Sequence, residues 1–364
     1  MCLLGIFLFL VLVTIYLGKI FMRFQNLKII LLLSLVLLPM GCEENTVDTT
    51  AAIEEVFLAA EQFPNLKSLI VYKDNLVIKE KYFHNGAADS DHDVRSVTKS
   101  VMSTLIGIAI DKGFIISDEQ KIGVFLQPLV GNIDSAKANI RIRDLLSMSS
   151  GFYSNELASS SEYNNWISAP NQLLYTLSQP LFSQSGQTFY YNSGASHLLS
   201  IILTQSTGMS SHNFAKQYLF QPLGIADHNW STDKQGFNNG AAGLRLTPQD
   251  MLKIGILYLN GGLYNNNQVV SPSWITKATT AKITTGSVIP FASDYGYLWW
   301  NGRAYSHNYH FASGWGGQFV FIVPDLNLVV VASNEWSGIP SAIAGEQWYN
   351  TLNLIVNDII PIYN

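Results

Sequence analysis

Cysteine is nearly absent. The 364 residues hold two, Cys2 and Cys42, and both lie near the N-terminus, so the folded part has no disulfide framework. Charge is scarce too, at 13% of residues, and the net value of −5 comes without a basic block, which argues against nucleic acid as a partner. His84, His92, His212 and His228 stand at no metal-ligand spacing, and neither His-Glu-x-x-His nor Cys-x-x-Cys occurs, so no metal is expected. Glycine-rich phosphate loops are missing and no organic cofactor is implied. The strained Gly-x-Ser-x-Gly elbow of the α/β-hydrolases is missing as well, which excludes that route to an activated serine. Internal repeats and low-complexity stretches are also absent.

What the chain does have begins with an apolar leader. Met22 to Lys28 is a basic n-region, Ile29 to Leu38 an h-region, and Pro39-Met40-Gly41-Cys42 a cleavage site. Glycine followed directly by cysteine resembles the bacterial lipoprotein signal, in which Cys42 is lipidated and becomes the mature N-terminus; proline three residues before it departs from the usual leucine. Residues 1–42 therefore read as leader, with 1–21 an over-extended start, and 43–52 as a polar tether. An uncleaved signal anchor is the alternative. Either way the expected location is the bacterial periplasm, attached to a membrane.

The remaining chain, 53–364, is long enough to bury a sizeable core. Ile53 to Gln62 suits a short amphipathic helix. Ser68–Tyr72 and Leu76–Tyr82 flank Asp74-Asn75, a two-residue hairpin signal. Residues 115–260 read as mainly helical. Strands return with Tyr295–Trp300, and Gln318–Val323 pairs with Leu328–Ser333 across Pro324–Asn327. A helix over about 339–360 ends the chain. Strands at both ends with helices between predict an α+β sandwich: an antiparallel sheet built from the two ends, flanked by helices, with an inserted helical subdomain over about 115–260. A cleft between the two is the expected place for a site.

Chemistry concentrates at Ser96-Val-Thr-Lys99. Three residues of separation put serine and lysine on one helical face, where an amine can take the proton from a hydroxyl. Val101, Leu105, Ile108 and Ala109 make an apolar stripe behind them, and Lys112-Gly113 is a stop signal. The start of that helix adds free N–H groups where an oxyanion would form. Ser231-Thr-Asp-Lys234 repeats the spacing but runs into the turn-rich Gln235–Gly240, which cannot hold a helix.

Four more segments follow in order. They are Ile140–Gly151, then Gly186–Leu199, then Gly243–Met251 with Leu257–Gly262, and last Gly314-Trp-Gly-Gly-Gln318 with its hairpin. Together with Ser96-x-x-Lys99 they closely resemble the serine β-lactamase-like hydrolases, which include class C β-lactamases, penicillin-binding-type peptidases, esterases and nylon-oligomer hydrolases. The resemblance covers roughly residues 65–335. It implies that Ser96 is acylated, that Lys99 is its base, and that a tyrosine shares the proton traffic. An aromatic two residues earlier and a leucine pair seven later select Tyr191, giving Tyr191-Asn192-Ser193; Tyr190 fits a Tyr-x-Asn reading. The phenol is expected to lower its pKa beside an ammonium.

The resemblance further implies that Ser193 positions the pair and that Gly314 and Trp315 carry an oxyanion donor. The family's third motif falls on Ala312-Ser313-Gly314, which lacks the usual cation. That lack argues against β-lactams as main substrates, with His310 and Arg303 as possible replacements for the cation. Trp166, Trp299, Trp300, Trp315 and Trp336 are candidates for an aromatic pocket, although core packing explains each singly. His197 reads as a packed or capped histidine. The expectation is an exported serine hydrolase acting on a small ester, amide or short peptide. A D-amino-acid peptidase and a slowly acylated sensor are the alternatives. The oligomeric state is open.

Overall fold

The computed structural model describes residues 48–364; the leader, with Cys2 and Cys42, lies outside the described residues. An eight-stranded antiparallel sheet organises the chain. Its strands are β1 (Leu66–Lys73), β2 (Leu76–Tyr82), β3 (Ile283–Ile289), β4 (Ala292–Tyr295), β5 (Trp300–Ala304), β6 (His307–Gly314), β7 (Gln318–Val323) and β8 (Leu328–Asn334). The order across the sheet is β2-β1-β8-β7-β6-β5-β4-β3, so the first two strands complete a meander made by the last six. Val71 pairs with Val330 across the seam between the two ends of the chain. Asp74 and Asn75 both take positive φ (49° and 66°), the primed turn that matches strand twist in a two-residue hairpin.

Strands β7 and β8 are buried along their whole length because helices cover both faces. The Pro248–Leu259 helix packs on one face, where a Cβ on Gly255 would lie 2.5 Å from Val329 and 3.1 Å from Val320. On the other face Trp348, from the Ser341–Asn353 helix, meets Phe319 with ring centroids 5.8 Å apart. This is an α+β fold in which a large antiparallel sheet is flanked by helices.

Several boundaries differ from the sequence reading. The first helix runs Thr49–Ala60, because the Asp48 carboxylate accepts from the Thr50 and Ala51 N–H groups and caps it; residues 49–52 are helical, not tether. Tyr295–Trp300 is not one strand. The chain leaves β4 at Tyr295 and re-enters at Trp300, with Leu298 at φ 62° and its N–H donated to the Leu146 carbonyl at 2.8 Å. A distant helix thus takes a hydrogen bond that a strand would have used. Strand β3 was not anticipated, and the terminal helix starts at Ser341.

Candidate active site

The Val97–Asp111 helix runs through the middle of the molecule, and every residue from Val97 to Ala109 is buried. A polar group on a helix buried on all sides costs free energy unless it finds a partner, and several here do. Ser100 Oγ donates to the Leu298 carbonyl at 2.6 Å, and Thr104 Oγ1 bonds the Tyr258 hydroxyl at 2.9 Å. Gly107 leaves room for Trp274, whose ring a Cβ there would meet at 2.3 Å.

Ser96 sits at the N-cap of this helix. The chain reaches it through a short ribbon, His92–Asp93 against Arg245–Leu246, and then turns at Arg95, which is held at φ 51°. The Asp93 carboxylate stabilises that turn by accepting from the Arg95 N–H at 2.8 Å. The second Ser-x-x-Lys copy does nothing similar: Ser231 lies in extended backbone and Lys234 Nζ points away to the Ser168 carbonyl, 3.5 Å off.

Lys99 is 1% exposed, and its ammonium donates to Ser96 Oγ at 2.9 Å, the Ala241 carbonyl at 3.0 Å and Ser193 Oγ at 3.2 Å. All three donor directions are used. Burial drives its pKa down to about 7, partly opposed by Glu156 and reinforced by Arg95. The Ala241 carbonyl is fixed from behind. Asn239 Oδ1 accepts from the Ala241 N–H at 2.9 Å, and His197 Nδ1 accepts from the Gly240 N–H at 3.2 Å. His197 is fully buried, with Nε2 3.0 Å from Asp233 Oδ2, and touches Trp166 rather than Ser96.

Of the two adjacent tyrosines, Tyr191 reaches the serine–lysine pair. Its ring centroid lies 4.9 Å from Lys99 Nζ, and its hydroxyl faces Ser96. It stacks on Trp300 at 5.6 Å with the rings 18° apart. Tyr190 turns the other way, against Tyr153 at 5.8 Å. The expected drop in the phenol pKa does not occur. Burial of the Tyr191 hydroxyl end pushes its pKa up, and this outweighs the lowering influence of Ser96 and the charge of Arg95.

Strand β6 ends beside Ser96. A Cβ on Gly314 would lie 2.4 Å from the Val94 carbonyl and 3.2 Å from Arg95 Cβ, so the strand and the Ser96 turn are in direct contact. Gly314 to Gly317 then form a tight turn, closed by the Gly317 N–H on the Gly314 carbonyl at 3.1 Å. Among the described residues neither the Ser96 nor the Trp315 N–H donates to another protein group. Trp315 is 44% exposed, whereas Trp166, Trp299 and Trp300 are core residues.

Neither proposed replacement for the missing cation works. His310 is buried and its pKa is driven down to about 3, which leaves it neutral. Arg303 pairs with Asn308, six residues back along β6 from Gly314, or about 20 Å at strand rise.

Two residues went unnoticed in the sequence. Arg95 stacks on Trp336 at 4.3 Å beside the serine, and its charge is shared with Asp93 at 3.5 Å. Glu156 accepts from both Ser193 groups, the N–H at 2.9 Å and Oγ at 2.6 Å. Burial raises the Glu156 carboxyl above its ordinary range, against the pull of Lys99 and the Ser193 hydrogen bonds. Glu156 also lines a pocket with Tyr153, Glu162, Trp166, Asn192 and Gly194, on either side of Ser193. Ser154-Asn155-Glu156 matches no motif, so only the Ser193 contact identifies it.

The family profile described as Beta-lactamase matches residues 51–348. The chain belongs to the beta-lactamase family. A 6-aminohexanoate-dimer hydrolase from Paenarthrobacter ureafaciens is 24% identical over 288 residues, covering 74% of this chain and 72% of that protein. A candidate 6-aminohexanoate-dimer hydrolase from Bacillus anthracis superposes with TM-score 0.68 at 19% identity, over 84% of this chain and 82% of that one. EstCE1, a hydrolase with promiscuous acyltransferase activity, gives TM-score 0.63 at 18% identity, over 82% and 98%. This beta-lactamase family member is thus, in coarse terms, a hydrolase of the beta-lactamase fold.

Proposed function

We propose that the protein is a serine hydrolase that cleaves an ester or amide through an acyl-enzyme on Ser96. The observation that carries this reading is a buried amine 2.9 Å from a serine hydroxyl, with its ammonium destabilised to a pKa of about 7. An amine of that pKa is half neutral near physiological pH and can take the Ser96 proton as the hydroxyl attacks a carbonyl. Tyr191 stays a phenol, so it relays a proton to the leaving group by giving one and accepting another, without existing as a free phenolate. Ser193 positions the lysine. The Ser96 and Trp315 N–H groups stabilise the tetrahedral oxyanion, and Gly314 lets them approach each other. Water then repeats the sequence to release the acid.

The relatives guide the choice of substrate. A 6-aminohexanoate dimer contains one amide and no β-lactam ring, and the guanidinium beside Ser96, that of Arg95, is already shared with Asp93. Small amides and esters are therefore the proposed class. We further propose export and attachment to a membrane through Cys42.

A nitrophenyl ester assay, combined with fluorophosphonate labelling read by mass spectrometry, tests the reading. Expected are steady-state turnover and a single adduct on Ser96, both lost in Ser96→Ala. One burst equivalent with no steady rate would instead identify a slowly acylated sensor, and no adduct on Ser96 would end the hydrolase account.

A further inference from the structure

The hydrogen bonds around Ser193 form a directed chain that continues past the lysine. Lys99 Nζ donates to Ser193 Oγ at 3.2 Å, and Ser193 Oγ donates to Glu156 Oε2 at 2.6 Å. The Ser193 N–H donates to Glu156 Oε1 at 2.9 Å, so the carboxylate is gripped at both oxygens and cannot swing away. A carboxylate and an ammonium joined by one hydroxyl can exchange a proton without involving water.

Resting on the hydrolase reading above, we propose that Glu156 is a positioning residue that takes the Lys99 proton through the Ser193 hydroxyl and so frees the amine to act on Ser96. In this step an N–H bond of the Lys99 ammonium breaks as an O–H bond forms on Ser193. The hydroxyl proton that Ser193 already held moves to Glu156 Oε2. The ammonium becomes an amine and the carboxylate an acid, and no proton is gained or lost overall.

Burial favours the neutral pair, since both charged forms are penalised by the surroundings they share. The other charged and titratable groups facing the pair are Arg95 from the Ser96 turn, Tyr191 from the loop before the Ser193–Thr207 helix, and Glu162 from the Ser161–Ser168 helix. Arg95 disfavours the ammonium and Glu162 disfavours the carboxylate, so these two also push toward the neutral forms. Tyr191 carries no charge.

The test is the pH profile of kcat/KM on a nitrophenyl ester, measured for the full chain and its variants. In Glu156→Gln the internal acceptor is gone and the Lys99 proton must leave to solvent before the amine can act, so the acid limb is expected to move up. Glu156→Asp, which keeps the charge, should return the limb toward its original place. Ser193→Ala keeps the anion but removes the bridge, so its limb is expected to move up. If Glu156→Gln fails to fold, Ser193→Ala decides the matter alone. A Glu156→Gln limb that stays or moves down, or a Ser193→Ala limb that stays or moves down, overturns the relay, a downward move showing Glu156 to be a plain counter-charge; a merely structural role would lower the rate without moving the limb. Fluorophosphonate labelling of the same preparations separates the two ideas. Unlabelled Ser96 in the wild type sinks the hydrolase reading, whereas labelled Ser96 with unmoved limbs sinks only the relay.

Discussion

A methyl group at position 314 should damage the site more than its size suggests. In Gly314→Ala the new Cβ lies 2.4 Å from the Val94 carbonyl, against an ordinary contact of 3.4 Å or more, so strand or turn must shift by about 1 Å. The carbonyl cannot give way cheaply, because it accepts the Val97 N–H at 3.1 Å in the first turn of the Ser96 helix. A shift of that size at an oxyanion donor is worth roughly 10²- to 10³-fold in rate. Overpacking costs about 1–3 kcal/mol of stability. Gly345→Ala is the control: a Cβ there meets nothing within 4 Å, in a helix that should gain roughly 0.5–1 kcal/mol from alanine. Steady-state kinetics with urea unfolding of both variants gives the comparison. If Gly314→Ala kept kcat/KM within about threefold of wild type, the reasoning about Gly314 and the Trp315 N–H would be refuted.

Other outcomes follow from the same geometry. Because Lys99 must be neutral to act and its pKa is lowered to about 7, activity should be present above that pH and fall away below it; a flat profile from pH 5 to 9 would contradict this role. Tyr191→Phe should lower kcat by about 10²- to 10⁴-fold with little change in ester KM, and an unimpaired variant would remove the phenol from the mechanism. Nitrocefin should be turned over with kcat/KM below about 10⁴ M⁻¹s⁻¹, and a higher value would overturn the exclusion of β-lactams. His197→Ala leaves the buried Asp233 carboxylate without its partner and should cost about 3–5 kcal/mol in urea unfolding; a loss below about 1 kcal/mol would show that the pair holds nothing. In a bacterial host, Cys42→Ala should abolish palmitate labelling and release the protein from the membrane fraction, and retained label would sink the lipid-anchor proposal.

The features legible in the sequence are those set by local periodicity. Ser96 and Lys99 follow from helical spacing plus an apolar stripe, and the structure puts them on one helix with their polar atoms in contact. The Asp74-Asn75 hairpin needs only two residues that tolerate positive φ. Tyr191 was separable from Tyr190 only through the family resemblance, whose aromatic two residues earlier and leucine pair seven later fall on Phe189 and Leu198. Tyr295–Trp300 looked like one strand because its aromatic content suits a sheet. The deciding contact, Leu298 with the Leu146 carbonyl, spans about 150 positions and leaves no local trace. Glu156 is hidden for a related reason: its loop has no period, and its meaning comes wholly from where Ser193 happens to lie.

The failed expectation of a lowered phenol pKa shows how the site is built. Reasoning from charge alone, an ammonium beside Tyr191 should favour phenolate. Burial acts on every group at once, however, and always against the charged form. It lowers Lys99, raises Tyr191 and raises Glu156, so three groups of different chemistry are all moved toward neutrality by one cause. A neutral amine, a neutral phenol and the hydroxyls of Ser96 and Ser193 can each both donate and accept a hydrogen bond, which fixed ions cannot. In the proposed mechanism such a network moves a proton from Ser96 to a leaving group while building charge only on the substrate oxygen, where the proposal places the Ser96 and Trp315 N–H groups. The central buried helix is what makes this possible, since no exposed serine–lysine pair would be desolvated enough for the amine to be free near pH 7.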